Sequence, residues 1–177
     1  MKIFIAGPRA VSRLSKAVED RLHGIYTKGY TVLVGDASGV DKAVQKYFAG
    51  LDYAHVIVYA SGGKARNNIR NWPVEAVHVA DGVKGFAFYA AKDKAMADDA
   101  DYGFMIWNGE SKGTLNNVVN LLNGGKKALV YYLPNDNFVN VGSFEQLEEL
   151  LKECPEETTA LYNTLNPQQI SIVGNAM

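Results

Sequence analysis

Cysteine is nearly absent: Cys154 is the only one in 177 residues. No disulfide can close within the chain, and no zinc site can be built on several thiolates. Histidine is scarce as well, and His23, His55 and His78 lie too far apart for metal-ligand spacing. No apolar run reaches the roughly 18 residues of a membrane-spanning helix. The run in MKIFIAGPRA is too short for a signal peptide. A reducing, cytoplasmic setting is therefore expected. Positive charge is not in excess: 18 Lys and Arg face 19 Asp and Glu, a net charge of −1. Nucleic-acid surfaces are built from clustered cations, so nucleic acid is not an expected partner. Neither G-x-G-x-x-G after the first apolar run nor G-x-x-x-x-G-K-[ST] occurs. That argues against a standard dinucleotide site and against a P-loop ATPase.

What is present is a repeated alternation. KIFIAG (2–7), YTVLVG (30–35), HVIVYA (55–60), YGFMIW (102–107) and KALVYYL (127–133) are short, nearly continuous apolar runs. Such runs suit strands covered on both faces. Between them, Leu14, Val18, Leu22 and Ile25 recur at helical spacing, as do Val40, Val44, Tyr47 and Leu51, and Leu115, Val118, Val119 and Leu122. Residues 74–80 and 86–100 also read as helical. The pattern predicts an α/β fold with a mostly parallel sheet of about five strands and helices on both faces. One domain spans 1–177, with a core over 1–134 and a mainly helical extension over 135–177. In that extension NFVNV (137–141) reads as an edge strand. Ser143 with Gln146 reads as a capping box, and 156–165 as a helix. The tail NPQQISIVGNAM shows no usable period.

Three turns in this scheme fall on one edge of the sheet. They are AGPRA (6–10), GDASGVD (35–41) and WNGESKGT (107–114). Each carries glycine, which allows close backbone approach. Two open directly into helices, whose free N–H groups attract anions. One such turn is ordinary strand-to-helix chemistry, with Ser38 and Thr114 as simple N-caps. Three on one edge predict a shared anion site. The loop GGKARNNIR adds Lys64, Arg66 and Arg70 to that edge, and Arg9 adds a fourth cation. Guanidinium groups bind phosphate and carboxylate by paired hydrogen bonds. Trp107, at a strand end, is the candidate for stacking on a base, while Trp72 reads as packed against a helix. Asp98, Asp99 and Asp101 need not converge, and no metal or cofactor is expected.

IAGPR, GDASGVDKAVQ, the KD and MA of KDKAMADDAD (92–101) and IWNGESKGT together resemble the SLOG superfamily. That superfamily joins the DNA-processing protein A family with the Lonely Guy cytokinin-activating enzymes. The nearest branch is its small YspA-type bacterial and phage members. The resemblance covers about 2–133. It implies a Rossmann-like three-layer fold that binds nucleotides or their derivatives at the glycine turns. Carried over, Gly7, Pro8 and Arg9 form the first turn, and Gly35, Asp36, Ala37, Ser38, Gly39 and Asp41 the second. Trp107, Asn108, Gly109, Ser111, Gly113 and Thr114 form the third, and Asp93 closes the site; Met96 matches the same motif and is assigned only packing. The Lonely Guy enzymes have a Glu three residues after their motif Thr, where this chain has Asn117. An amide is neither a general base nor a carboxylate nucleophile. The expectation is therefore a protein that senses, carries or sequesters a nucleotide-derived ligand. An enzyme cleaving an N-glycosidic or phosphate bond is the alternative, with catalytic residues unassigned; a DNA-binding module, as in the DNA-processing branch, is the third reading, placed last by the near-neutral charge. Ten Tyr and seven Phe, together with relatives that commonly dimerise, imply a homo-oligomer.

Overall fold

A computed structural model describes residues 1–165, so the tail over 166–177 lies outside the described residues. The chain runs β1 (Lys2–Ala6), α1 (Lys16–Thr27), β2 (Thr31–Gly35), α2 (Val40–Gly50), β3 (Val56–Ser61) and β4 (Val74–Val77). It continues with α3 (Gly85–Asp99), β5 (Tyr102–Trp107), α4 (Lys112–Asn123) and β6 (Ala128–Tyr132). A single 3-10 turn at Leu133–Asn135 leads to β7 (Asn137–Val141), α5 (Phe144–Leu151) and α6 (Glu156–Leu165).

Seven strands form one sheet in the order β4-β3-β2-β1-β5-β6-β7. All neighbouring pairs are parallel except β6 with β7. The five expected core strands carry one further strand at each edge. β7 is the edge strand expected from NFVNV. β4 corrects the helical reading of 74–80. Pro73 keeps the residue before it out of the helical region, and Val74 and Val77 are β-branched. The free edge of β3 completes the ladder, pairing Val58 with Val74 and Ser61 with Val77.

The sheet separates two cores. Strand alternation sends Ile3 and Ile5 of β1 to one face and Phe4 and Ala6 to the other. The first face is covered by α1 and α2 through Val18, Leu22, Ile25, Val44 and Phe48. The second is covered by α3 and α4, with α5 and α6 outside β6 and β7, through Met96, Leu115, Val119, Leu147 and Tyr162. This is the three-layer, Rossmann-like arrangement. Each fully buried Leu or Phe contributes roughly 1.5–3 kcal/mol through removal from water.

Helix starts differ from expectation in two places. The N-cap of α2 is Gly39, with no side-chain bond, not Ser38. The N-cap of α4 is Ser111, whose Oγ accepts from Thr114 N at 3.3 Å, so Thr114 lies inside the helix. Strand order reverses between β1 and β5. In open parallel sheets the crevice beyond the carboxyl ends of the strands forms at that point.

Candidate functional site

A cleft of about 420 Å³ lies there. Its walls are the loop after β1, the first three turns of α3 and the start of α4.

The start of α4 is open to the cleft. Asn108 Oδ1 accepts from the backbone N–H groups of Glu110 at 3.0 Å and Ser111 at 2.9 Å, which folds the turn. Ser111 then caps Thr114 N. The N–H groups of Lys112 and Gly113, at the first two helical positions, have no carbonyl partner within the helix. A Cβ placed on Gly113 would meet nothing within 4 Å, so its outer face is clear. These free donors and the helix dipole make an anion seat.

The start of α2 is spent differently. Val40 N donates to Pro8 O at 3.2 Å. Gly39 has φ of 78°, and a Cβ there would lie 2.4 Å from Arg9 O. The turn GDASGVD thus clamps the loop after β1, with Val40 N turned to Pro8 O instead of the cleft.

Below both turns is an ionic floor. Asp36 is buried and takes three bonds from Arg66: backbone N at 2.9 Å, Nε at 3.1 Å and a terminal guanidinium N at 2.8 Å. Burial opposes ionisation of Asp36, but the Arg66 bonds outweigh it and hold the carboxyl below its usual range. Asp41 is buried and accepts from Ala37 N at 3.2 Å. Burial, helped by the charge of Asp93, pushes it up to about 7 despite the nearby Lys92 ammonium. Lys92 is itself buried and pairs with Asp93 at 2.6 Å. Gly35 makes room for this cluster, since a Cβ would lie 2.4 Å from Asp41 Oδ2 and 2.9 Å from Lys92 Nζ. Asn117 also lines the floor, and its buried Oδ1 has no hydrogen-bond donor among the described residues.

At the mouth two aromatic rings reach solvent: Phe86 is 41% and Tyr89 38% exposed. Each carries a cation on its face. Arg66 sits 4.4 Å from the Tyr89 ring centroid, and Lys112 sits 4.1 Å from that of Phe86. The site therefore combines a helix N-terminus, two cations and two exposed rings.

Of the residues singled out in the sequence, Gly7, Pro8, Arg9, Ala37 and Asp41 line the cleft, with Arg66, Asp93, Ser111, Gly113 and Thr114. Others do not reach it. Gly35, Asp36 and Gly39 support it from behind, and Ser38 is exposed away from it. Arg70 pairs with Asp52. Asn108 and Gly109 shape the turn, with Gly109 O accepting from Thr158 Oγ1 at 2.6 Å. Trp107 cannot stack on a ligand: it is fully buried, and its Nε1 donates to Ser111 O at 3.1 Å. Its place at a strand end turned it into the core of the α4 side. Trp72 is packed, as expected, donating to Tyr53 O. Met96 is packed as well. Asp98, Asp99 and Asp101 diverge, to Lys94, the Tyr59 hydroxyl and Lys2 N respectively.

Phe86, Tyr89, Lys92 and Lys112 were missed as site residues. A signal for them existed: Phe86, Tyr89, Ala90 and Asp93 recur at helical spacing and form the cleft-facing side of α3. It was hidden because apolar residues surround this helix start on all sides.

No family model matches the chain, and no curated protein does. Two expectations are corrected by comparison with solved structures: that the ligand is a nucleotide-derived small molecule, bound or cleaved, and that nucleic acid is not an expected partner. Net charge averages over the whole surface, while Arg66 and Lys112 lie together at one mouth. Over 97% of this chain and 81% of its own, with a TM-score of 0.57 and 14% identity, the fold is similar to that of DNA processing protein A from Helicobacter pylori, a protein described by its single-stranded DNA binding mode.

Proposed function

We propose that the cleft binds single-stranded nucleic acid. The carrying observation is the pair of exposed rings at the mouth, Phe86 and Tyr89, each beside a cation and both beside the open N-terminus of α4. Single strands are held by aromatic stacking together with a cationic path for the backbone. A duplex keeps its bases stacked inside and has no use for two rings set on a rim. A phosphate fits the free N–H groups of Lys112 and Gly113, with Lys112, Arg66 and Arg9 supplying charge. The likeness to a fold whose solved member binds single-stranded DNA supports the same reading.

Placement in the SLOG superfamily, near its YspA-type branch, belongs to this proposal and rests on IAGPR, GDASGVD and IWNGESKGT. So does the view of 1–177 as one domain with a core over 1–134. Cytoplasmic residence is part of it as well, supported by the single cysteine; among the described residues no helix is long and apolar enough to cross a membrane.

The test is fluorescence anisotropy with a labelled oligothymidylate of about 20 nucleotides and a duplex of equal length. Single strand should bind more tightly, and more weakly as salt rises. Phe86→Ala and Tyr89→Ala should each lose roughly 5- to 150-fold, the equivalent of about 1–3 kcal/mol per stacked base. Equal affinity for both forms, or single-strand affinity indifferent to both substitutions, would overturn the proposal.

A further inference from the structure

A second hollow lies on the other side of the Arg9–Gly39 contact. It measures about 470 Å³ and is bounded by the loop after β1 and by α2. Arg13, Lys42, Lys46 and Tyr47 line it, with Glu19 as the one acidic group in the lining. Gly39 also belongs to this lining, while Arg9 lines the cleft. The two hollows therefore share a low ridge, where a Cβ on Gly39 would lie 2.4 Å from Arg9 O.

Three features suit the hollow to a strand's phosphate backbone. Arg13, Lys42 and Lys46 form no ion pair among the described residues, so their charge is open to an anion. Lys42 and Lys46 stand one turn apart on α2, a rise of about 6 Å. That is of the order of the step between successive phosphates in an extended strand. The cleft, moreover, has the volume of a small-molecule pocket. A polymer seated in it must leave across the surface, and this ridge leads from Arg9 to three unpaired cations.

We propose that this hollow is a second binding segment, taking the phosphate backbone of the same single strand after it leaves the cleft over Arg9. The inference rests on the single-strand reading of the cleft. Tyr47, half-buried in the same lining as Lys42 and Lys46, is the aromatic group beside the sugar or base that follows.

The experiment measures dissociation constants for oligothymidylates from about 4 to about 20 nucleotides. The proteins are the wild type, the double variant Lys42→Ser with Lys46→Ser, and Glu19→Gln. All three changes lie at the surface or half-buried, and urea midpoints check folding. The double variant should bind the shortest oligonucleotide like the wild type and lose about tenfold or more on the longest. Its salt slope on the longest should fall by about 1.4, two contacts at about 0.7 each. Glu19→Gln should bind the longest more tightly. Unchanged affinity for long oligonucleotides in the double variant, with wild-type binding intact, would overturn the second segment alone. Equal losses at all lengths would overturn it too, by placing the lysines in the cleft's own field. No wild-type binding at any length would overturn both proposals.

Discussion

Asp41→Asn should change how stability depends on pH. Asp41 is buried at the crossing of two turns, faced by Asp36 and the Ala37 N–H from the end of β2 and by Lys92 and Asp93 from α3. Its carboxyl titrates at about 7 in the folded protein against 3.8 for the free side chain. Burial is the main cause; Asp93 and Asp36 add to it, and Lys92 and the Ala37 N–H oppose it. Between these two values the folded chain holds a proton that the unfolded chain has released. The stabilisation from that proton is complete below the unfolded value and is lost as pH climbs to about 7. At about 1.36 kcal/mol per unit, the loss sums to roughly 4 kcal/mol. Asn keeps an acceptor for the Ala37 N–H and does not titrate. Urea unfolding of both proteins from about pH 4 to pH 8 isolates the effect, because other groups cancel in the difference. The stability of the variant relative to the wild type should rise by roughly 4 kcal/mol over that range. Parallel curves would refute the reasoning. They would mean that Lys92 keeps Asp41 ionised in the folded state throughout.

Three further outcomes are expected. Gly39→Ala should destabilise by about 2 kcal/mol or more, since it combines left-handed backbone with a Cβ driven into the Arg9 backbone; an unchanged urea midpoint would remove the clamp between the two turns. Asp36→Ala should cost about 1–3 kcal/mol, held below the cost of breaking a fully buried pair because the Arg66 side chain is 36% exposed; thermal unfolding measures it, and no loss would show the pair idle. Trp107→Phe should cost about 1 kcal/mol for the lost bond to Ser111 O and leave oligonucleotide affinity within about twofold, and a larger loss by anisotropy would return Trp107 to the binding surface.

The parts of the fold that could be read in the sequence were those set by local pattern. Continuous apolar runs marked β1, β2, β3, β5 and β6, and helical spacing marked α1, α2 and α4, because each face must be buried whatever its partner is. β4 was misread because its four residues pair with β3 through the backbone, and its side chains carry no burial pattern at all. In the candidate site, glycine turns and cations were legible as types, but their destinations were not. Whether Arg70 faces the cleft or Asp52, and whether Trp107 faces a ligand or Ser111, depends on the exact direction of a loop or strand end. Phe86 and Tyr89 were obscured because α3 opens with apolar residues that mostly face water. Net charge is a poor guide to local surface for a simpler reason: a chain with near-zero net charge can still place Arg9, Arg66 and Lys112 around one cleft.

The position of β1 has a kinetic consequence. This strand pairs with β2, about 30 residues on, and with β5, about 100 residues on. Both ladders must form before the crevice between them has two walls. Loop closure over that separation makes the β1–β5 ladder a late and slow event in folding. During synthesis the nascent chain therefore exposes an unpaired, strongly apolar strand edge until β5 emerges. Slowing elongation within 60–100 should raise aggregation of the nascent chain, whereas the same pause placed after β6 should not.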